Sequence, residues 1–252
     1  MRTIYHQYRR LYIKYITMRN YLLALVLFLS AYCPVVNAQD KVEADLSADF
    51  VSQYIWRGKQ LGNASIQPNL GIRWKGLSLS AWGSTELTTT ENAREFDLTA
   101  SYTTGGLTLG IIDYWSGHSD TKYFDYNAHS TNHSFEGFIA YDFGIFSASW
   151  QTVFAGSDGV NKSGNRAYSS YAELTVPFQL ATCNWEATVG IVPYATDSYD
   201  ANGFAVTNVS LKATKDIKIT EHFSVPIYAQ LIGNPCTQHA YFVVGLTLSI
   251  PQ

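Results

Sequence analysis

Several absences bound this chain. Beyond residue 38 no apolar run approaches the roughly 20 residues that a membrane-spanning helix needs. Residues 1–38 hold no Asp or Glu, though they carry Arg2, Arg9, Arg10, Lys14 and Arg19. Cysteine is scarce, three in 252 residues, and histidine clusters match no compact metal-ligand spacing. No low-complexity segment, linker or long internal repeat divides the chain, so one domain follows from its length.

The acid-free segment has its own grammar. Its basic start leads into Tyr21-Leu-Leu-Ala-Leu-Val-Leu-Phe-Leu-Ser-Ala31, and Val36-Asn37-Ala38 offers small residues before Gln39. Charged start, apolar centre and short polar end describe a secretory signal peptide over 1–38. Met18-Arg-Asn-Tyr begins a conventional leader by itself, which makes Met18 a candidate true start. The apolar run is too short for a spanning helix and ends at Pro34. Cys33 follows Tyr32, where lipoprotein cleavage requires a small residue, so no lipid anchor is expected. Five of the 17 Lys+Arg fall in the leader; 12 remain against 20 Asp+Glu, a net charge of −8 over 39–252. So acidic a chain is a poor nucleic-acid partner.

What the chain has in quantity is alternation. In 42–57 the even positions run Val42, Ala44, Leu46, Ala48, Phe50, Ser52, Tyr54, Trp56, and the odd ones Glu43, Asp45, Ser47, Asp49, Val51, Gln53, Ile55, Arg57. Successive strand side chains point to opposite faces, so this reads as one long two-faced strand. The pattern returns over 64–74, 77–87, 95–102, 107–115, 133–141, 145–155, 167–176, 183–194, 204–219, 223–232 and 239–250. Lys75-Gly76, Thr104-Gly-Gly106, Asp142-Phe-Gly144, a turn within 177–182 and Thr220-Glu-His222 are short connections. The others, 58–63, 88–94, 116–132, 156–166, 195–203 and 233–238, are polar loops. Twelve strands with short turns at one end and longer loops at the other describe an all-β, closed antiparallel transmembrane β-barrel of meander topology, with both termini periplasmic.

A soluble barrel inverts such faces, apolar inside and polar outside. Two aromatic girdles favour the membrane: Trp74, Tyr102 and Tyr141 beside short turns, and Tyr54, Trp56, Trp115, Phe154 and Tyr168 beside long loops. An aromatic content of 15% with a mean hydropathy of −0.07 fits that reading. The polar parity then assigns a lumen lining of Glu43, Asp45, Asp49, Gln53, Arg57, Arg73, Glu86, Glu95, Asp97, Glu136, Glu173 and Glu186. Gln67, Asn69, Gln151, Lys212 and Gln230 share it. Asp113 falls on the apolar parity near a rim, where a bulge or an interfacial position accommodates it.

Val51-Ser-Gln-Tyr-Ile-Trp-Arg-Gly58, the Pro68-bearing strand, Ala81-Trp-Gly-Ser84 and Glu95-Phe-Asp97 resemble an outer-membrane porin family of unknown function labelled Gcw_chp, or TorF-like. Asp113-Tyr-Trp115, Glu136 and Tyr241-Phe-Val-Val-Gly245 are similar to its members from Bacteroidota. The resemblance implies an outer-membrane location and a channel role, and no established substrate. Many outer-membrane barrels end on an aromatic residue; this chain ends Ser249-Ile-Pro-Gln252.

The functional expectation is a porin-like channel for passive diffusion of small polar solutes, its partners the solute and outer-membrane lipid. Loop 116–132 is a candidate constriction. A closed structural or surface-binding barrel is the alternative, and a lipid-modifying enzyme a further one. Acyl chemistry needs a Ser with a His base in reach, and His133-Ser134 point to opposite faces. His118, His129, His133 and His239 read as solvated rim residues, with His222 in a short turn. No catalytic activity, cofactor or metal is therefore expected. Cys183 and Cys236 belong at opposite ends of the barrel, too far apart to bond.

Overall fold

The structure, a computed structural model, describes residues 41–88, 94–118, 120–127, 130–221 and 223–250. The expected leader 1–38, Met18, His129, His222 and the last two residues lie outside them. The described residues from Val42 onward form one compact unit.

Fourteen strands follow in order: β1 Glu43–Val51, β2 Tyr54–Trp56, β3 Lys59–Gly62, β4 Ser65–Trp74, β5 Leu77–Glu86, β6 Arg94–Thr104 and β7 Leu107–Gly117, then β8 His133–Asp142, β9 Ser147–Gly156, β10 Ser170–Leu180, β11 Cys183–Val192, β12 Ala205–Lys218, β13 Ser224–Asn234 and β14 His239–Ser249. Twelve close into an antiparallel meander barrel, with β1 paired to β4 on one side and to β14 on the other. β2 and β3 pair only with each other. Closure is fixed by Glu43↔Arg73 through Val51↔Ser65 on one seam and by Ser47↔Ser249 through Val51↔Gly245 on the other. The start of β1 and the end of β14 therefore lie at the rim of the short turns.

The period-2 pattern decides the faces. Outward positions carry Leu79, Ile111, Leu231 and Phe242, each more than half exposed, while inward positions bury Ser65, Gln67, Ser84, Asp97 and Asn234. Apolar side chains outside and polar ones inside invert the usual burial rule. Trp74, Tyr102 and Tyr141 stand outward at the short-turn rim, and Phe154 and Tyr168 outward at the other.

The structure departs from the expected 42–57 stave. The barrel strand ends at Val51. Ser52 closes it, its amide donating to Val244 O at 2.9 Å and its hydroxyl accepting from Val244 N at 3.0 Å. The chain then leaves the wall and doubles back as the hairpin β2–β3, with Trp56 opposite Lys59. Arg57 (φ 50°) and Gly58 (φ 82°) make its two-residue turn, the left-handed geometry that matches strand twist. Tyr54 and Trp56 are thus not girdle residues. Trp115 is not one either, for it is 8% exposed beneath Tyr123. Cys183 and Cys236 are both free.

Candidate functional site

The hairpin's turn is pinned across the barrel interior. Arg57 makes two parallel bonds to Glu136 on β8, Nη1 to Oε2 and Nη2 to Oε1, each 2.7 Å. Nη1 also donates to the Tyr199 hydroxyl at 2.6 Å. The Tyr114 hydroxyl on β7 donates to Glu136 Oε1 at 3.0 Å. The guanidinium lies over Trp56 at 4.3 Å and over Tyr171 at 4.7 Å. Trp56, Tyr199 and Tyr171 are nearly parallel, with successive centroids 5.6 and 5.9 Å apart. Side-chain exposures of 10% for Arg57 and 1% for Glu136 make this a buried ion pair, in which every partner is bonded or stacked.

Each element supplies its part for a local reason. Tyr171, on the inward parity of β10, fits because its ring reaches over Gly190 of β11, the partner of Glu173, where a Cβ would stand 1.8 Å from the phenol oxygen. Its hydroxyl donates to Glu173 at 2.6 Å and accepts from Asn208 Nδ2 at 3.2 Å. Tyr199 is delivered by a single 3-10 turn, Asp197–Tyr199, capped by the Thr196 side chain. Burial pushes the Tyr199 phenol up to about 12, so it stays neutral. Gly58 admits a close approach of backbone to backbone: a Cβ there would lie 1.9 Å from Thr207 O on β12. Asn234 Nδ2 holds the Gly58 carbonyl at 3.0 Å, and Lys59 Nζ reaches Ser198 O at 3.2 Å and Asp200 at 3.4 Å. The hairpin is thereby tied to β7, β8, β10, β12 and β13 and to the loop before β12.

Two cavities open beside it toward the long-loop rim. One, about 320 Å³, is lined by Tyr54, Ser84, Glu86, Arg94 and Glu95 among others. The second, about 490 Å³, has Trp56, Tyr114 and Tyr199 as aromatic walls, and Glu95, Glu136, Asp158 and Asp197 as charged groups. Arg166 lies against Asp158 at 3.5 Å.

The remaining expected lining residues spread along the inner wall. Asp45 accepts from Asn69 at 3.0 Å and from Arg73 at 3.2 Å, close to the short-turn rim. Glu43 is exposed there, opposite Arg73. Asp49 accepts from Thr247 at 2.6 Å. Glu86 is bonded by Asn63 and, at 3.0 Å, by Thr88. Glu95 and Asp97 face inward on β6, and Glu186 stands exposed, opposite Lys212 and Pro177. Gln53 lies in the bend between β1 and β2 rather than on the wall. Of the twelve, Arg57 and Glu136 come together beneath the hairpin, and Asp45 and Arg73 pair near the short-turn rim. The residues that complete the Arg57 unit, Trp56, Tyr114, Tyr171 and Tyr199, carry no charge; inward parity marks Tyr114 on β7 and Tyr171 on β10, whereas Trp56 falls on the apolar parity and Tyr199 in loop 195–203.

A second polar pair sits on the outward face. His133, fully buried, bonds Asp113 through Nδ1 at 2.7 Å and Tyr123 O through Nε2 at 2.5 Å. Tyr126 stacks on its ring at 4.3 Å. So His133 is not a solvated rim residue, and this part of loop 118–132 packs against the outside of the wall. Within it, Asp125 is held below the usual carboxylate range by the Asn127 amide and then by the Ser130 hydroxyl.

No protein-family model matches the chain, and no curated protein matches it. Among solved structures it is similar to Salmonella typhi OmpF in complex with daunomycin, at 9% identity and a TM-score of 0.33, over 86% of this chain and 99% of that one. A likeness so distant carries no functional argument.

Proposed function

We propose that this chain is an outer-membrane, porin-like channel for passive diffusion of small polar solutes, its outer mouth narrowed by the hairpin β2–β3. One observation carries the reading: a closed barrel with a polar interior and an exposed apolar exterior. An aqueous exterior would penalise that arrangement, whereas a bilayer requires it. Strands of 9–14 residues suit a tilted crossing. Export through residues 1–38 and the resemblance of Val51–Gly58 to outer-membrane porins support the same location. The short-turn rim and both ends of the barrel then face the periplasm.

Carboxylates along the inner wall outnumber the cations beside them, which favours polar neutral or cationic solutes over anions. No catalysis is proposed. Both ring nitrogens of His133 face acceptors, and no hydroxyl nucleophile is hydrogen-bonded to it among the described residues.

The Arg57 latch favours a second reading, a barrel sealed at its outer mouth. Planar-bilayer recording separates the two, using the intact chain and one in which 54–62 is replaced by a short Gly-Ser bridge. Conductance steps from the intact chain support the channel. Steps from the replacement alone support the sealed barrel. Silence from both, with β-sheet content retained, sinks the channel.

A further inference from the structure

The 490 Å³ cavity beside the hairpin is chemically one-sided. Its lining holds four carboxylates and no Lys, Arg or His. Two of the four are answered from outside the lining, Glu136 by Arg57 and Asp158 by Arg166. Glu95 and Asp197 have no ion-pair partner among the described residues. Three aromatic rings, Trp56, Tyr114 and Tyr199, share the same lining.

A second observation lies one step further in. Asp97 is on the same inward face of β6 as Glu95, two residues on, so the two are about 7 Å apart along the strand. Asp97 is 8% exposed, and its Oδ1 has no hydrogen-bond partner among the described residues. Its cross-strand neighbours are Trp82 on β5 and Tyr114 on β7, and Trp82 packs against Tyr54 at 5.5 Å. An orphaned carboxylate oxygen, buried beside a second carboxylate, is unfavourable unless a positive group or a proton answers it. The guanidinium of Arg57 is already spent on Glu136.

Carboxylates set among aromatic faces suit an organic ammonium ion. The carboxylates take the charge and the N–H donors, and the ring faces take the alkyl groups and add cation–π attraction. A bare metal ion is poorly served, since no group of three metal-binding side chains exists among the described residues. We infer that Glu95 and Asp97, with the aromatic wall of this cavity, form a binding station for small alkyl-ammonium solutes at the outer mouth. The inference rests on the channel reading for its biological sense, and deepens it by naming a solute class.

The test is calorimetric titration of the detergent-folded protein with 1,4-diaminobutane, whose two ammonium groups can span the Glu95–Asp97 spacing. Saturable binding is expected, weakened at least tenfold by Asp97→Asn and by Glu95→Gln. Glu186→Gln, at the far rim, should bind as the intact protein does, and succinate should give no heat. Circular dichroism checks that each variant keeps its sheet. Absence of saturable binding overturns the inference and leaves a shared proton as the answer to the carboxylate pair. Equal binding by the Asp97→Asn variant overturns it as well. Bilayer recording of the same preparations keeps the two readings apart. Binding without conductance refutes the channel and spares the station; conductance without binding does the reverse.

Discussion

Removing the Arg57 side chain tests whether the hairpin is a latched obstruction. In Arg57→Ala, Glu136, whose side chain is 1% exposed in the intact protein, keeps one bond, from Tyr114, and loses both guanidinium bonds. Stranding one member of a buried ion pair costs about 3–5 kcal/mol. Loss of the guanidinium from between Trp56 and Tyr171 adds about 1 kcal/mol. At about 1.4 kcal/mol per tenfold, the lower figure alone shifts the balance between seated and released hairpin by about two orders of magnitude. The ties left behind are Asn234 to Gly58 O, the half-exposed Lys59 to Ser198 O and Asp200, and Trp56 stacked on Tyr199. Single-channel conductance should rise, and protease should cut within 54–62 where it spares the intact chain. Arg57→Lys should be intermediate, because an ammonium cannot make two parallel bonds or lie flat between rings. Adding Glu136→Ala to Arg57→Ala should restore much of the thermal stability, since no bare carboxylate remains, yet leave conductance high. If Arg57→Ala gives the conductance and proteolysis pattern of the intact chain, the latch reasoning is refuted.

Other outcomes follow from separate features. Gly58→Ala should release the hairpin with no change of charge, because its Cβ would meet Thr207 O at 1.9 Å; conductance matching the Arg57→Ala variant is the check. Leu231→Arg places a charge on the outward face of β13, where the leucine is 58% exposed. It should cost about 2–4 kcal/mol in reversible folding into bilayers if the wall faces lipid, and almost nothing if it faces water. His133→Ala should leave Asp113 unpaired and free loop 118–132 for proteolysis, with conductance unchanged. Cys183 and Cys236 should both titrate as free thiols under denaturation without reductant.

The barrel was legible because its signal is redundant. Each strand repeats the same two-face test, and a one-residue slip anywhere would turn leucines inward and carboxylates outward. Leu77-Ser-Leu-Ser and Glu95-Phe-Asp-Leu each fix a face unaided. Long-loop and short-turn ends follow from the spacing between them. Twelve such votes give strand count, closure and parity together.

The latch is of another kind, for period 2 says which face a side chain takes and not which sheet its strand joins. Tyr54-Ile-Trp continues the alternation of β1 without a break, so parity carries the stave through to Arg57. What ends the stave is a hydrogen-bond exchange at Ser52 with Val244, some 190 residues away in the chain, which no local pattern encodes. The two-residue turn at Arg57-Gly58 was the local clue, since Gly followed by Lys59-Gln-Leu-Gly62 suits a tight hairpin as well as a loop. The partners of Arg57 could not be read either. One of many inward carboxylates had to be chosen, and Glu136 is the one that Tyr114 on β7 holds, while Tyr171 on β10 and Tyr199 in the loop before β12 position the guanidinium. His133 shows the same limit from the outside. Its strand position gives the outward face correctly, but burial comes from Tyr123 and Tyr126 folding back over it. A barrel wall is thus written in the sequence residue by residue, whereas whatever stands in its mouth is written in contacts between distant segments.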